Sequence, residues 1–207
     1  MTGLANPFFS WVWPKLVRHE PDSLVALRVR NLAGLSGRVL EVGAGTGSNF
    51  PHYPPEVAEV VALEPEAALH ELAAAAAAAD SRIAVRHETL AEFQPETPFD
   101  AVVFSLVLCS LPDPAEALGQ VRRCLSPDGE LRFLEHVAAP GPMGAAQRVA
   151  DATLWPRVFG NCHTHRDAAA LVSSAGFEVR TRTESWLYPQ WVPIPTSFVV
   201  LGRAGAA

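Results

Sequence analysis

The sequence predicts an α/β domain: a doubly wound, seven-stranded sheet, mostly parallel, with an antiparallel last strand and an N-terminal helical lid. Three observations carry this. Short apolar runs alternate with helix-forming stretches from residue 38 onward, the rhythm of β–α–β units with right-handed crossovers. A glycine-rich loop follows the first of those runs. The chain then closes on two strand-like runs with no helix between them, which makes that pair antiparallel. A length of 207 residues suits one such domain. Its parts read as a helical cap over 1–35, a cofactor-binding core over 36–136, and acceptor-side helices with the strand pair over 137–207.

Residues 1–35 carry Val17, Leu24, Leu27 and Leu32 interleaved with Arg18, Glu20, Arg28 and Arg30, the pattern of one or two surface helices. Arg38–Val42 is the first strand, and the glycine loop leads from it into an expected helix start. Val57–Leu63 is the second strand. Glu66–Ala79, with alanine at every position from 73 to 79, is a strong helix. Ile83–Val85 begins a third strand, and Ala101–Leu108, apolar but for Ser105, is a fourth and the clearest buried one. Asp113 before Pro114 has the form of an N-cap with proline at the first helical position, for a helix reaching Leu125. Ser126-Pro127-Asp128-Gly129 reads as a turn before a fifth strand, Glu130–Val137. Helices over Ala145–Val158 and Arg166–Ala175 follow, the second capped by Gly176. Phe177–Thr183 and Ser197–Leu201 are the closing strands, joined by the Pro-rich segment Tyr188–Pro195.

Composition excludes several classes of function. A net charge of −6, with basic residues scattered rather than striped, argues against a nucleic-acid partner. Cys109, Cys124 and Cys162 share no metal-type spacing and cannot all pair, which fits a reduced, cytoplasmic setting. The apolar stretch Phe8–Trp13 ends at Pro14-Lys15, too soon for a signal core or a membrane span. A peripheral membrane contact stays open.

The informative stretch is Glu41-Val42-Gly43-Ala44-Gly45-Thr46-Gly47-Ser48-Asn49. Glycines here let backbone approach a ligand closely. A dinucleotide fingerprint needs Gly-x-Gly-x-x-Gly around a pyrophosphate, whereas Ser48 stands where its third glycine would be. Glu41, inside the strand, suits an amino or sulfonium group and repels a pyrophosphate. Glu64, about twenty residues on at the tip of the second strand, can accept two ribose hydroxyls. Together these residues describe a site for a nucleoside with a cationic tail.

The glycine motif, Leu63-Glu64-Pro65, Phe99-Asp100-Ala101-Val102-Val103 and Leu125-Ser126-Pro127-Asp128-Gly129-Glu130 resemble successive motifs of the Rossmann-like class I methyltransferases. Leu106-Val107-Leu108-Cys109-Ser110, Phe133–Ala139 and Phe159-Gly160-Asn161-Cys162 resemble the methyltransferase-like protein 7 group of alkyl-thiol S-methyltransferases. That resemblance implies S-adenosylmethionine as methyl donor and S-adenosylhomocysteine as product. It implies that Glu41, Gly43, Ala44, Gly45, Gly47 and Asn49 hold the methionine part, and that Glu64 holds the ribose. Pro65, Leu90 and Ala91 would flank the adenine, with Ser105 and Leu106 beneath the sulfonium. Many members of the class carry an aspartate in the adenine loop, where this chain has Thr89-Leu90-Ala91-Glu92. The membrane-associated N-terminal segment of the animal members has no counterpart in residues 1–35.

Methyl transfer needs alignment above all, and a thiol acceptor needs little help from a base. The expected reaction is therefore in-line transfer to a small apolar acceptor, a thiol before a hydroxyl. His136, at the strand edge where open parallel sheets bind ligands, is the candidate general base. It could equally be a histidine that fixes its own loop. Phe9, Trp13, Cys109, Asn161 and His163 are candidate acceptor contacts, within a wider aromatic set of Phe8, Trp11, Trp155, Trp186, Tyr188 and Trp191. The Cys162-His163-Thr164-His165 run matches no standard zinc spacing, so no metal is expected. Transfer to oxygen or nitrogen of a metabolite or lipid headgroup, a nicotinamide-dependent oxidoreductase and a non-catalytic S-adenosylmethionine-binding module remain alternatives.

Overall fold

The computed structural model describes residues 7–17 and 19–206, with Pro7, Phe8, Ser10, Leu16 and Ala206 described by backbone alone. Two helices come first, α1 (Pro7–Val17) and α2 (Asp22–Leu32). Then follow β1 (Gly37–Val42), β2 (Val57–Leu63), α3 (Ala67–Ala77), β3 (Ile83–Arg86), β4 (Phe99–Ser105), α4 (Pro114–Cys124) and β5 (Leu125–His136). The last third holds α5 (Pro142–Asp151), α6 (Trp155–Val158), α7 (Ala168–Ser174), β6 (Phe177–Trp186) and β7 (Phe198–Ala206).

The strands form one seven-stranded sheet in the order β3-β2-β1-β4-β5-β7-β6. Pairs from β3 through β5 are parallel, and β7 runs antiparallel to both of its neighbours. The mostly parallel sheet with the antiparallel close expected from the strand–strand ending is present. Strand order reverses between β1 and β4, so a crevice opens beyond their carboxyl ends, where ligands of doubly wound sheets bind. The core lies on both faces. Leu40, Val102, Phe104, Leu131 and Phe133 pack with α4 and α7 on one side. On the other side Val39, Val60, Ala101 and Val103 meet the Ala73–Ala77 face of α3, while Leu24 and Leu27 of α2 meet Leu134 and Val199. Arg132, only 2 % exposed, donates to the Asn31 and Ala33 carbonyls and thereby locks the end of α2 onto β5.

Four local expectations change. No α-helix follows the glycine loop: residues 45–49 turn and Phe50–His52 form a single 3-10 turn. Pro51, Pro54 and Pro55 explain it, since each lacks an N–H to continue a helix. The turn at Ser126–Gly129 is absorbed into β5, where Leu125 pairs with Phe99 and Glu130 with Ala101, leaving the residues between as a bulge. The helix over 145–158 is split into α5 and α6 ahead of Pro156, with Thr153 Oγ1 bonding back to the Val149 and Ala150 carbonyls. The apolar fourth run leaves the sheet at Ser105, because Leu106 turns to φ +63°. Asp113 and Asp167 cap α4 and α7 as their positions suggest, accepting from Glu116 N and Ala170 N.

Candidate active site

The crevice between β1 and β4 holds a cavity of about 190 Å³. The glycine loop forms its floor, with Gly43 N and Ala44 N both tied to the Leu63 carbonyl of β2. Gly43 has φ +71°, and a Cβ there would lie 2.7 Å from Val107 Cγ2, so only glycine lets the two strand ends close up. Gly47 is required on the same two grounds: it has φ +81°, and its Cβ would meet the Phe50 ring at 2.6 Å.

Four charged side chains define the electrostatics. Glu41 is 2 % exposed and accepts from Asn49 Nδ2 at 2.9 Å and from the Tyr53 hydroxyl at 2.7 Å. Burial pushes its carboxyl above the ordinary range, against the pull of those two donors and of Arg28. Arg28 of α2, buried against the cavity, donates to Asn49 Oδ1 at 3.0 Å and reaches Ser105 Oγ at 3.4 Å. A two-pronged ion pair with Glu20, at 2.7 and 2.9 Å, holds it there. Glu64 accepts from Gly45 N at 2.8 Å and Glu66 N at 2.9 Å, and burial raises its pKa to about 7. Leu90 and Pro65 form the apolar end of the cavity.

Beyond β4 the chain is held by a carboxylate. Glu135 of β5 is fully buried and accepts the N–H groups of Val107, Leu108 and Cys109 at 2.9, 3.0 and 3.1 Å. Leu106 N bonds the Leu134 carbonyl at 2.7 Å. These bonds stabilise the strained Leu106, which lines both this cavity and a second one.

The second cavity, about 550 Å³, lies beside the first. The two share Phe9, Trp13, Leu106 and Ser110 as common wall. Leu24, Trp155, Phe159, Leu187, Tyr188 and Ile194 make most of the remainder apolar, and His136 and Cys162 reach it from the β5 end. Loops around this cavity are cross-tied. Gln147, buried, accepts from Ala139 N and donates to the Val137, Thr164 and Pro195 carbonyls, while Arg166 donates to the Leu108 and Leu111 carbonyls.

Of the residues singled out from the sequence, Glu41, Gly43, Ala44, Gly45, Glu64, Pro65, Leu90, Ser105 and Leu106 line the first cavity, and His136 lines the second. Phe9 and Trp13 lie on both. Gly47, Asn49, Ala91, Cys109, Asn161 and His163 are not in either wall. Asn49 acts through Arg28 and Glu41, and Ala91 is exposed. Asn161 turns its loop at φ +63° and donates to the Ser110 carbonyl, and the His163 backbone donates to the Cys109 carbonyl. In the wider aromatic set, Trp155 and Tyr188 face the cavity, Trp186 packs on Phe198, and Trp11 and Trp191 are exposed. The Phe8 side chain lies outside the described residues. Arg28 and Glu135 were missed: one sits in a helix that reads as surface, the other in a strand that reads as apolar.

The first cavity brings together a buried carboxylate at the β2 tip, Glu64, with the buried Arg28 and Glu41 side chains. This fold and site define a class I S-adenosylmethionine-dependent methyltransferase, and the chain belongs to the methyltransferase domain family, whose model matches residues 16–182. Thiol S-methyltransferase TMT1B of Rattus norvegicus is 32 % identical over 187 residues, covering 86 % of this chain and 75 % of the relative. Among solved structures, the N-methyltransferase NodS from Bradyrhizobium japonicum, in complex with S-adenosylhomocysteine, superposes with a TM-score of 0.69 at 15 % identity, covering 96 % of this chain and 98 % of that one. The [4+2]-cyclase SpnF also superposes at 0.69, with 17 % identity and coverage of 97 % and 94 %. At such identities the likeness is of fold alone, and chemistry has to be argued from the site.

Proposed function

We propose that this chain methylates a small apolar thiol. The observation that carries the reading is the aromatic cavity that shares a wall with the cofactor cavity at Leu106 and Ser110. S-adenosylmethionine supplies a methyl group already activated on a sulfonium sulfur. The protein's part is to bind, align and exclude water. Glu64 would accept the ribose hydroxyls, and Pro65 and Leu90 would enclose the adenine. Glu41 would take the ammonium group and Arg28 the carboxylate. Ser105 and Leu106 would bound the sulfonium, with Phe9 and Trp13 closing the cavity from above.

Similarity to thiol S-methyltransferases of about one third identity supports sulfur as the accepting atom. The apolar lining supports an alkyl or aryl thiol over a charged metabolite. The chain reads as one domain in which α1 and α2 cap a core that the last third completes on the acceptor side. Three free, buried cysteines fit a reducing compartment such as the cytoplasm. Among the described residues no helix is long and apolar enough to cross a membrane.

The test is a panel of alkyl thiols and matched alcohols with S-adenosylmethionine, scored for product by mass spectrometry. Thiols should be methylated with kcat/KM at least about tenfold above the matched alcohols, a gap of about 1.4 kcal/mol. Turnover of alcohols alone would overturn the thiol reading.

A further inference from the structure

Three side chains from three segments converge beside the acceptor cavity. Cys109 follows β4, His136 ends β5 and Cys162 precedes α7, and all three are buried. His136 Nδ1 lies 3.6 Å from Cys109 Sγ and 3.5 Å from Cys162 Sγ, and the two sulfurs are 3.6 Å apart. The triangle is close to equilateral. A tetrahedral zinc, with bonds of about 2.3 Å to sulfur and about 2.05 Å to nitrogen, sets two sulfurs about 3.8 Å apart and each about 3.6 Å from the nitrogen. The observed spacing matches one face of that tetrahedron. A disulfide fits less well, because it needs the sulfurs about 2.05 Å apart and leaves His136 outside the bond.

We propose that Cys109, His136 and Cys162 are a zinc site whose fourth position opens on the acceptor cavity and takes the sulfur of the thiol being methylated. The substrate half of this inference rests on the thiol reading above; the metal half does not. His136 and Cys162 both line the acceptor cavity, so one edge of the triangle borders the space where a substrate would sit. Three protein ligands and one exchangeable position is the arrangement of catalytic rather than structural zinc. Charge favours it too. Two thiolates and a neutral imidazole around a dication sum to zero, which lowers the cost of burial. The backbone bearing the donors is held in place: Glu135 accepts from Cys109 N, His163 N donates to the Cys109 carbonyl, and Cys162 N bonds the Phe159 carbonyl.

The chemistry balances without an oxidant or a protein base. The acceptor's S–H proton passes to water as its sulfur bonds the metal, since a coordinated thiol is deprotonated. That sulfur then forms the new S–CH3 bond while the sulfonium C–S bond breaks, its electron pair remaining on the donor's sulfur. The thioether product, neutral and a weaker ligand, leaves the metal.

The test uses the full chain, purified reduced and without chelators. Mass-spectrometric metal analysis should find about one zinc per chain, falling to background in Cys162→Ser and Cys109→Ser that keep wild-type circular dichroism. Cobalt(II) exchanged into wild type should show sulfur-to-metal charge transfer with tetrahedral d–d bands. Hexanethiol should shift those bands and hexanol should not. A wild-type protein that takes up neither zinc nor cobalt overturns the site, as does full zinc retention in Cys109→Ser/His136→Ala/Cys162→Ser. Cobalt bands indifferent to hexanethiol overturn the substrate position. Thiol methylation at full rate by metal-free protein overturns the metal's role and leaves the thiol reading standing. A metal site that binds hexanethiol in a protein that methylates no thiol does the reverse.

Discussion

Glu64 is a carboxylate in a place that opposes its charge. Burial raises its pKa to about 7, and the N–H groups of Gly45 and Glu66 offset only part of that penalty. Because the folded-state pKa lies above the ordinary 4.5, Glu64 supports the ligand-free fold at low pH and loses that support as pH rises through about 7. The loss is at most about 3 kcal/mol, the full shift converted at 1.36 kcal/mol per unit. If Glu64 holds the ribose as proposed, cofactor binding carries the opposite sign, since the ionised carboxylate is the better acceptor for hydroxyl groups. Affinity for S-adenosylmethionine should therefore rise about tenfold between pH 6 and pH 8, as the ionised fraction does. Isothermal titration calorimetry reads this directly. Glu64→Gln should bind weakly and without that slope; a wild-type Kd that is flat across the interval would remove Glu64 from the ribose site. Position alone made this residue legible, as an acidic side chain closing an apolar run about twenty residues past the glycines. Arg28 had no such marker. On an amphipathic helix a buried arginine and a solvated one have the same spacing, and its partners Glu20, Asn49 and Ser105 come from three other segments.

Among the elements, those that bury one continuous face were readable and those governed by tertiary bonds were not. β1, β2 and α3 lie within a few residues of their apolar patterns. The end of β4 does not, because Glu135 draws Val107, Leu108 and Cys109 out of the sheet by their N–H groups, and apolarity cannot distinguish the two fates. The missing helix after the glycine loop was legible in principle, in Pro51, Pro54 and Pro55. Its absence strengthens the case against a pyrophosphate, which binds at a helix N-terminus. α1 is the element with the clearest functional load. Phe9 and Trp13 stack at 5.2 Å between centroids, line both cavities, and close against Gly160 and Gly45. Trp13→Ala would join the two spaces without emptying the core. Acceptor KM should rise about tenfold, or about 1.4 kcal/mol, with Tm lowered by less than the loss of a buried core aromatic, which costs about 3–5 kcal/mol. Steady-state kinetics beside a melting curve separates the outcomes. An unchanged KM with a large fall in Tm would make α1 a packing element only.

At the scale of the molecule, the cofactor cavity is assembled from nearly every layer. The β1 loop, the tips of β2 and β4, Leu90 beyond β3, and Arg28 from α2 all meet there. No two of these are neighbours in sequence, which is why the site's parts were readable one at a time while the zinc-sized triangle of Cys109, His136 and Cys162 was not. Spacing within one stretch announces only local sites. The same convergence has a thermodynamic consequence: a ligand that binds all of these elements stabilises the folded chain as a unit. At a hundredfold excess over Kd, S-adenosylmethionine should stabilise by about 2.7 kcal/mol. For a chain of 207 residues, each kcal/mol moves Tm by about 2–4 °C, so differential scanning fluorimetry should record a rise of about 5–10 °C. Glu64→Ala, weakened about a hundredfold, would keep only about 0.4 kcal/mol at the same concentration and melt within about 2 °C of its ligand-free value. S-adenosylhomocysteine should act much like the methyl donor, because the assigned residues other than Ser105 and Leu106 would hold parts the two share. NADH should give no shift, since Ser48 and the missing helix leave its pyrophosphate without a seat. A shift with NADH but none with S-adenosylmethionine at millimolar concentration would overturn the assignment of the cavity.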